Sequence, residues 1–108
     1  AEDLFDAATA VAGSGPAYLF LLVEALRDAG VTLGLDPAAA LAMAETTMEG
    51  AARLLAGGAE DPAALRAAVT SPAGTTAAAI AVLEDAGLRD AVLAALRAAV
   101  ARAAELGA

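Results

Sequence analysis

The chain has 108 residues, a formal net charge of −8, and no histidine, cysteine or lysine. That length suits one domain with its own core, and the missing residue types exclude disulfides, a Cys/His metal site, a thiol nucleophile and a Ser-His triad within the chain. Six arginines against 14 acids, with three aromatic side chains, speak against nucleic acid and anionic membrane as partners.

Alanine supplies 36 residues and no strand-like alternation is present, so every expected element is a helix. A short helix is expected over residues 3–12. A second runs from Pro16 to Ala29, opened by Ser14-Gly15-Pro16 and stopped by Gly30. Its residues Leu19 to Val23 are apolar all round, so this helix needs cover on every side. A bundle this small has little room for a central helix. Burial by a second chain is the favoured account, with a monomeric core helix wrapped by its neighbours as the alternative. The purest apolar run, Ala17 to Val23, stops at Glu24, short of the roughly 20 residues a membrane span needs, so no span is expected.

After a loop through Gly34, Asp36-Pro37 opens a long helix that Gly57-Gly58 stops near Ala56. Asp61-Pro62 opens a short helix to Val69. Ser71-Pro72 reads as a start of the same kind, with a helix over Thr75 to Ala86 that ends at Gly87. Leu26 to Gly30 and Leu83 to Gly87 share an L-x-D-A-G ending, read as one terminator used twice. The last helix runs from Leu88 to Leu106, with Val92, Leu96 and Val100 on one face and Asp90, Arg97 and Glu105 opposite. The chain opens mid-pattern at Ala1-Glu2-Asp3, as a piece of a longer protein would, and its lack of cysteine suits a reducing cytoplasm.

Two segments, Ala12 to Tyr18 and Val69 to Thr76, gather glycines and hydroxyls at helix starts. Such ends bind anions, because four N–H groups lack partners and the dipole is positive there. From periodicity alone plain capping is the leading account, with Ser14 and Ser71 each satisfying its own helix. The second segment is richer, since four hydroxyls between Thr70 and Thr76 exceed what one cap uses. Glu49 and Arg53 read as a solvated i,i+4 pair. An acid/base pair built from Glu45 and Glu49 would lack polar support. Tyr18 packs its ring more readily than it donates a proton.

Gly13-Ser14-Gly15-Pro16-Ala17-Tyr18, with Glu24-Ala25-Leu26 and Asp28-Ala29-Gly30-Val31 after it, resembles the C-terminal domain of pyrroline-5-carboxylate reductase. So do Gly50-Ala51-Ala52, Asp61-Pro62, Leu65-Arg66, Val69-Thr70-Ser71-Pro72, Gly74-Thr75-Thr76 and Val82-Leu83-Glu84 with Gly87-Leu88-Arg89. The resemblance covers essentially the whole chain. It implies an all-α bundle of about five to six helices over residues 1–108, forming an intertwined homodimer, in the 6-phosphogluconate-dehydrogenase-C-terminal-like class. It implies a Rossmann domain ahead of this region that binds NADPH or NADH, in a cytoplasmic enzyme that reduces 1-pyrroline-5-carboxylate to L-proline. Gly13-Ser14-Gly15 is followed by Pro and is not a dinucleotide fingerprint, so this chain alone should hold no cofactor and be inactive. The expected partners are a second copy, in a dimer or higher oligomer, and the small-molecule substrate; no nucleic acid, membrane or metal is expected.

Carried over by position, Ser71, Gly74, Thr75 and Thr76 form the substrate loop, with backbone N–H groups near Gly74 and Thr75 on the substrate carboxylate. Thr76 is the implied proton donor or relay; a substrate already protonated at nitrogen is the equal alternative. Val69 and Thr70 would flank the nicotinamide, and Ser14, Gly15 and Pro16 would line the same cleft. Three positions depart from the family pattern. Ala73 stands where a glycine is usual, Ala67 where an acid is usual, and Asp61 where His is common. If position 73 needs a positive φ, alanine costs on the order of 1 kcal/mol; if it lies in a first helical turn, alanine is harmless. A second reading, of another class, is a non-catalytic or redesigned helical oligomerisation scaffold kept for its interface. A third, an unrelated alanine-rich binder, requires the motif match to be chance.

Overall fold

The structure is a computed structural model that describes residues 2–107, so the ends of the 1–108 domain reading, Ala1 and Ala108, lie outside it. The described residues form six α-helices and one π-helical turn, with no strand. They are α1 (Glu2–Ala8), the π turn (Thr9–Gly13), α2 (Gly15–Thr32), α3 (Pro37–Ala56), α4 (Pro62–Ala68), α5 (Thr75–Asp85) and α6 (Leu88–Gly107). The all-α expectation holds. The chain divides into two compact units, Ala1–Pro16 with Thr70–Ala108, and Ala17–Val69. It passes between them beside the two glycine- and hydroxyl-bearing segments.

In the first unit α6 packs on α1, the π turn and α5. The π turn has a local cause. Pro16 has no N–H to give the carbonyl of Ala12, and its ring crowds that carbonyl. The backbone widens just before it, and the Ser14 N–H reaches back five residues to the Thr9 carbonyl at 2.9 Å. Between α5 and α6, Gly87 takes φ +82, the left-handed conformation that ends a helix most easily at glycine. The Arg89 Nε bonds both carboxylate oxygens of Glu84, at 2.8 and 3.1 Å, across this corner. That hydrogen bond, and then the charge of Glu84, raise the Arg89 pKa above its ordinary value.

In the second unit the Asp-Pro starts behave as expected. Asp36 accepts from the Ala39 N–H at 3.2 Å and Asp61 from the Ala63 N–H at 2.9 Å. Gly30 does not stop α2, which continues to Thr32. The stop is Gly34, at φ +106. The Leu35 N–H returns to the Gly30 carbonyl and the Gly34 N–H to the Val31 carbonyl, both at 3.0 Å, which together close the helix end. Gly30 serves packing instead: a Cβ there would lie 3.2 Å from Leu35 Cδ1 and 3.4 Å from the Ala40 Cβ. Of the two L-x-D-A-G endings, only the one at Gly87 terminates a helix.

The expectation that no apolar stretch reaches spanning length is also corrected. The helical stretch Leu4–Thr32 is 29 residues long and apolar enough to cross a membrane by length and composition alone. From the sequence, a break is expected between residue 12 and Pro16, whereas the π turn carries the helical stretch through it.

Among the described residues the buried ones are Ala10, Ala40 and Ala44, and no large side chain is fully buried. In α2, Phe20 is 68% and Leu21 64% exposed. The chain exposes 8052 Å². A compact 10.4-kDa monomer would expose about 5,400 Å², and two separate bodies of half that mass about 6,500 Å². At least about 1,500 Å² per chain is therefore surplus to a self-contained fold, against roughly 800 Å² per partner in a standard interface.

Candidate functional site

The segment between α4 and α5 is built as a turn. The Gly74 N–H donates to the Ser71 carbonyl at 3.0 Å, with Pro72 second and Ala73 third in the turn. Ala73 has φ +59 and is the one non-glycine residue with positive φ among the described residues. Proline is well suited to the second position of such a turn and glycine to the third. A Cβ at Gly74 would crowd the turn, lying 3.2 Å from the Ser71 carbonyl oxygen and 3.3 Å from its Cβ.

This turn delivers the chain into α5 with its N-terminus open. The N-cap is Gly74, extended at φ −84, with no side-chain hydrogen bond and no acid in the first turn. The first helical bond runs from the Ala78 N–H to the Gly74 carbonyl. The N–H groups of Thr75, Thr76 and Ala77 therefore face outward with the positive end of the helix dipole. The helices α3 and α4, by contrast, are each closed by an aspartate.

The capping account of the serines is corrected. Ser71-Pro72 opens a turn and not a helix, and Ser71 contributes its carbonyl. Ser14 spends its backbone N–H on Thr9 at the end of the π turn. The Gly74 N–H, expected to face a carboxylate, is already donated to Ser71; the free donors begin one residue later. Thr75 and Thr76 are exposed, while Thr70 and Ser14 are half-buried. Ser14, Gly15, Pro16 and Thr70 to Thr76 fall in one unit, and Val69 ends the other. Within the first unit the π turn and α5 share α6 as a packing partner.

Elsewhere, Glu49 is held by Arg53, as its spacing predicted. Arg27 bonds Asp28 at 2.9 Å, and that bond, with the charges of Asp28 and Glu24, raises its pKa. Among the described residues no cluster of acids suits a metal ion. One feature escaped the sequence reasoning: a cleft of about 300 Å³ between α2 and α3, lined by Phe20, Val23, Glu45, Met48 and Glu49. Its signal was an i,i+3 apolar pair on α2 facing an i,i+3,i+4 set on α3.

A family model described as pyrroline-5-carboxylate reductase dimerisation matches residues 2–106. The pyrroline-5-carboxylate reductase of Synechocystis sp. is 51% identical over 106 residues, covering 98% of this chain and 40% of the relative. That of Arabidopsis thaliana is 45% identical over 105 residues, covering 97% and 38%. Among solved structures, a pyrroline-5-carboxylate reductase from Coxiella burnetii matches with a TM-score of 0.93 and 47% identity, over 98% of this chain and 39% of that one. The Plasmodium falciparum pyrroline carboxylate reductase, solved with NADP bound, matches with a TM-score of 0.90 and 32% identity, over 96% and 42%. The chain spans about two fifths of the length of these curated relatives.

Proposed function

This chain belongs to the pyrroline-5-carboxylate reductase dimerisation family, and we propose that it is the subunit-joining and substrate-holding part of an enzyme that reduces 1-pyrroline-5-carboxylate to L-proline. In this reading residues 1–108 form the helical domain, and a separate Rossmann domain of the parent enzyme holds NADPH or NADH. The dinucleotide's phosphates do not fit the described residues: no strand precedes Gly13-Ser14-Gly15, and the chain has no lysine. The cofactor supplies a hydride when bound; the work of this chain is to hold the other reactant.

The observation that carries the reading is the open N-terminus of α5 on the Ser71–Gly74 turn. A substrate carboxylate would accept from the Thr75 and Thr76 N–H groups, with Ser71 assisting and Gly74 keeping the approach clear. The Thr76 hydroxyl would then stand by the ring nitrogen. It would either pass a proton there as hydride reaches the imine carbon, or orient a nitrogen already protonated. Thr70, with Val69 beside it in sequence, is assigned to the nicotinamide, and Ser14, Gly15 and Pro16 to the wall of the cleft. The match to a dimerisation family supports a second copy of the chain as the cover of the exposed apolar surface, and we place the enzyme in the cytoplasm.

The test is Thr76→Val and Ser71→Ala in the parent enzyme. Thr76→Val should lower kcat by about 10²-fold if the hydroxyl moves the proton, and Ser71→Ala should raise KM. Full turnover by Thr76→Val removes that role. In the chain alone, proline should bind at millimolar level and shift backbone signals of Ser14–Ala17 and Thr70–Thr76; shifts elsewhere would refute the assignment.

A further inference from the structure

We infer that Ala73 is a positioning residue: it poises the Ser71–Gly74 turn between two forms, of which a substrate carboxylate selects the one with positive φ. The inference rests on the substrate-loop reading above and adds what sets the readiness of that loop. The residue order argues for one form. Serine first, proline second and glycine fourth are the preferences of a type I turn, whose third residue has a φ of about −90°. Ser71, Pro72 and Gly74 fit that order. The structure has the other form. Ala73 takes φ +59, the sign that a type II turn requires at its third residue and that glycine meets without strain.

Little separates the two forms in energy. Both keep the bond from the Gly74 N–H to the Ser71 carbonyl, which the structure has at 3.0 Å. Proline suits the second position of either turn. Ala73 is exposed, so burial of its side chain does not pin the strained form. What favours that form is the way the chain enters α5, through Gly74 extended at φ −84 and ψ −175. Passing from one turn to the other turns over the Pro72–Ala73 peptide, so its N–H and carbonyl exchange sides. That peptide ends two residues before Thr75, the first free donor of the α5 end. An anion bound at that end would sense a dipole whose sign depends on the turn. A ligand that prefers one form of a two-state element shifts the population toward it, and its apparent affinity falls with the fraction of chains in the competent form. Alanine at 73 thus weakens binding without itself holding the ligand.

The experiment compares Ala73→Gly, Ala73→Asn and Ala73→Val with the unmodified chain. Glycine and asparagine enter the positive-φ region more readily than alanine, and a β-branched residue least readily. The dissociation constant for proline, read by NMR titration, should therefore fall in the first two and rise in the third, with about a fivefold span from Val to Gly. The nuclear Overhauser effect between the Pro72 Hα and the Ala73 N–H reports the turn itself, since the two hydrogens are close in the positive-φ form and farther apart in the other. In the unmodified chain it should strengthen as proline is added. In the parent enzyme the same series should shift KM and leave kcat unchanged, because bound substrate holds the turn in one form. Equal proline affinity across the series while Tm changes overturns the inference, since Ala73 would then act on stability alone. So does an Overhauser effect that proline leaves unmoved while it shifts the other loop signals. Proline that binds without shifting any loop signal would instead overturn the substrate-loop reading, and this inference with it.

Discussion

Ala73→Gly should stabilise the protein, against the general rule that glycine weakens a fold. An L-residue in the left-handed region is disfavoured by about 1–2 kcal/mol, and Ala73 sits there at φ +59. Glycine removes that strain but adds backbone freedom to the unfolded chain, worth about 0.5–1 kcal/mol in the other direction. The balance is a gain of about 0.5–1 kcal/mol per chain. For a domain of this size that is roughly 2–8 °C in Tm. The shift is not diluted by dimerisation, because each chain carries the substitution. Melting should be followed by circular dichroism at one fixed chain concentration. Gly34→Ala and Gly87→Ala provide the opposite arm. Both glycines have positive φ, +106 and +82, and open space where a Cβ would go, so backbone strain alone should lower Tm by a comparable amount. An unchanged or lower Tm for Ala73→Gly, with losses in the other two, would refute the account of the Ser71–Gly74 turn as strained.

Four further outcomes are expected. Asp36→Ala and Asp61→Ala should each cost about 1 kcal/mol, read from denaturant midpoints, because each removes the one side-chain bond that closes α3 or α4. The Tm of the unmodified chain should climb as its concentration is raised, since folding and association are linked when the core is shared; a constant Tm over a hundredfold range contradicts this. Phe20→Asp should leave a chain that sediments as a monomer or loses its helical signal, whereas the same change in a self-contained domain would be nearly silent. The chain alone should show no micromolar affinity for NADPH by calorimetry, and one tight site per chain would overturn the assignment of the cofactor to another domain.

Most of the helical frame was legible in the sequence, because its boundaries are set by local chemistry. Asp36-Pro37, Asp61-Pro62, Gly57-Gly58 and Gly87 each act on backbone within a few residues of themselves, and each does what its residue type dictates. The failures share another cause. Gly30 resembles a terminator, yet whether a glycine ends a helix or admits a neighbour depends on what packs there, and Leu35 and Ala40 are distant in pattern. The π turn was missed because it answers Pro16 from the preceding turn. Ser71 looked like a cap because Ser-Pro resembles Asp-Pro, but the turn uses the serine carbonyl, which every residue has. At the candidate site, resemblance singled out the segment Ser71 to Thr76, while the commitment of the Gly74 N–H to Ser71 was not legible, since backbone pairing leaves no trace in side-chain identity.

The alanine content and the exposed leucines have one physical origin. Alanine is the strongest helix former, and its small side chain lets helix axes approach closely, as Ala10, Ala40 and Ala44 do in the buried positions. It gives little apolar area per residue, so a chain built this way cannot cover its own large side chains. Leu19 to Leu22 then have somewhere to go only if another chain supplies the second wall. An α5 N-terminus exposed to bulk water would hold a carboxylate weakly, because water solvates both partners. Set beside a wall that a second copy helps to dry, the same N–H groups act in a lower dielectric and hold the anion more firmly. Association would in this way do two things at once, completing the core and strengthening the helix-end field that the proposed carboxylate ligand would meet.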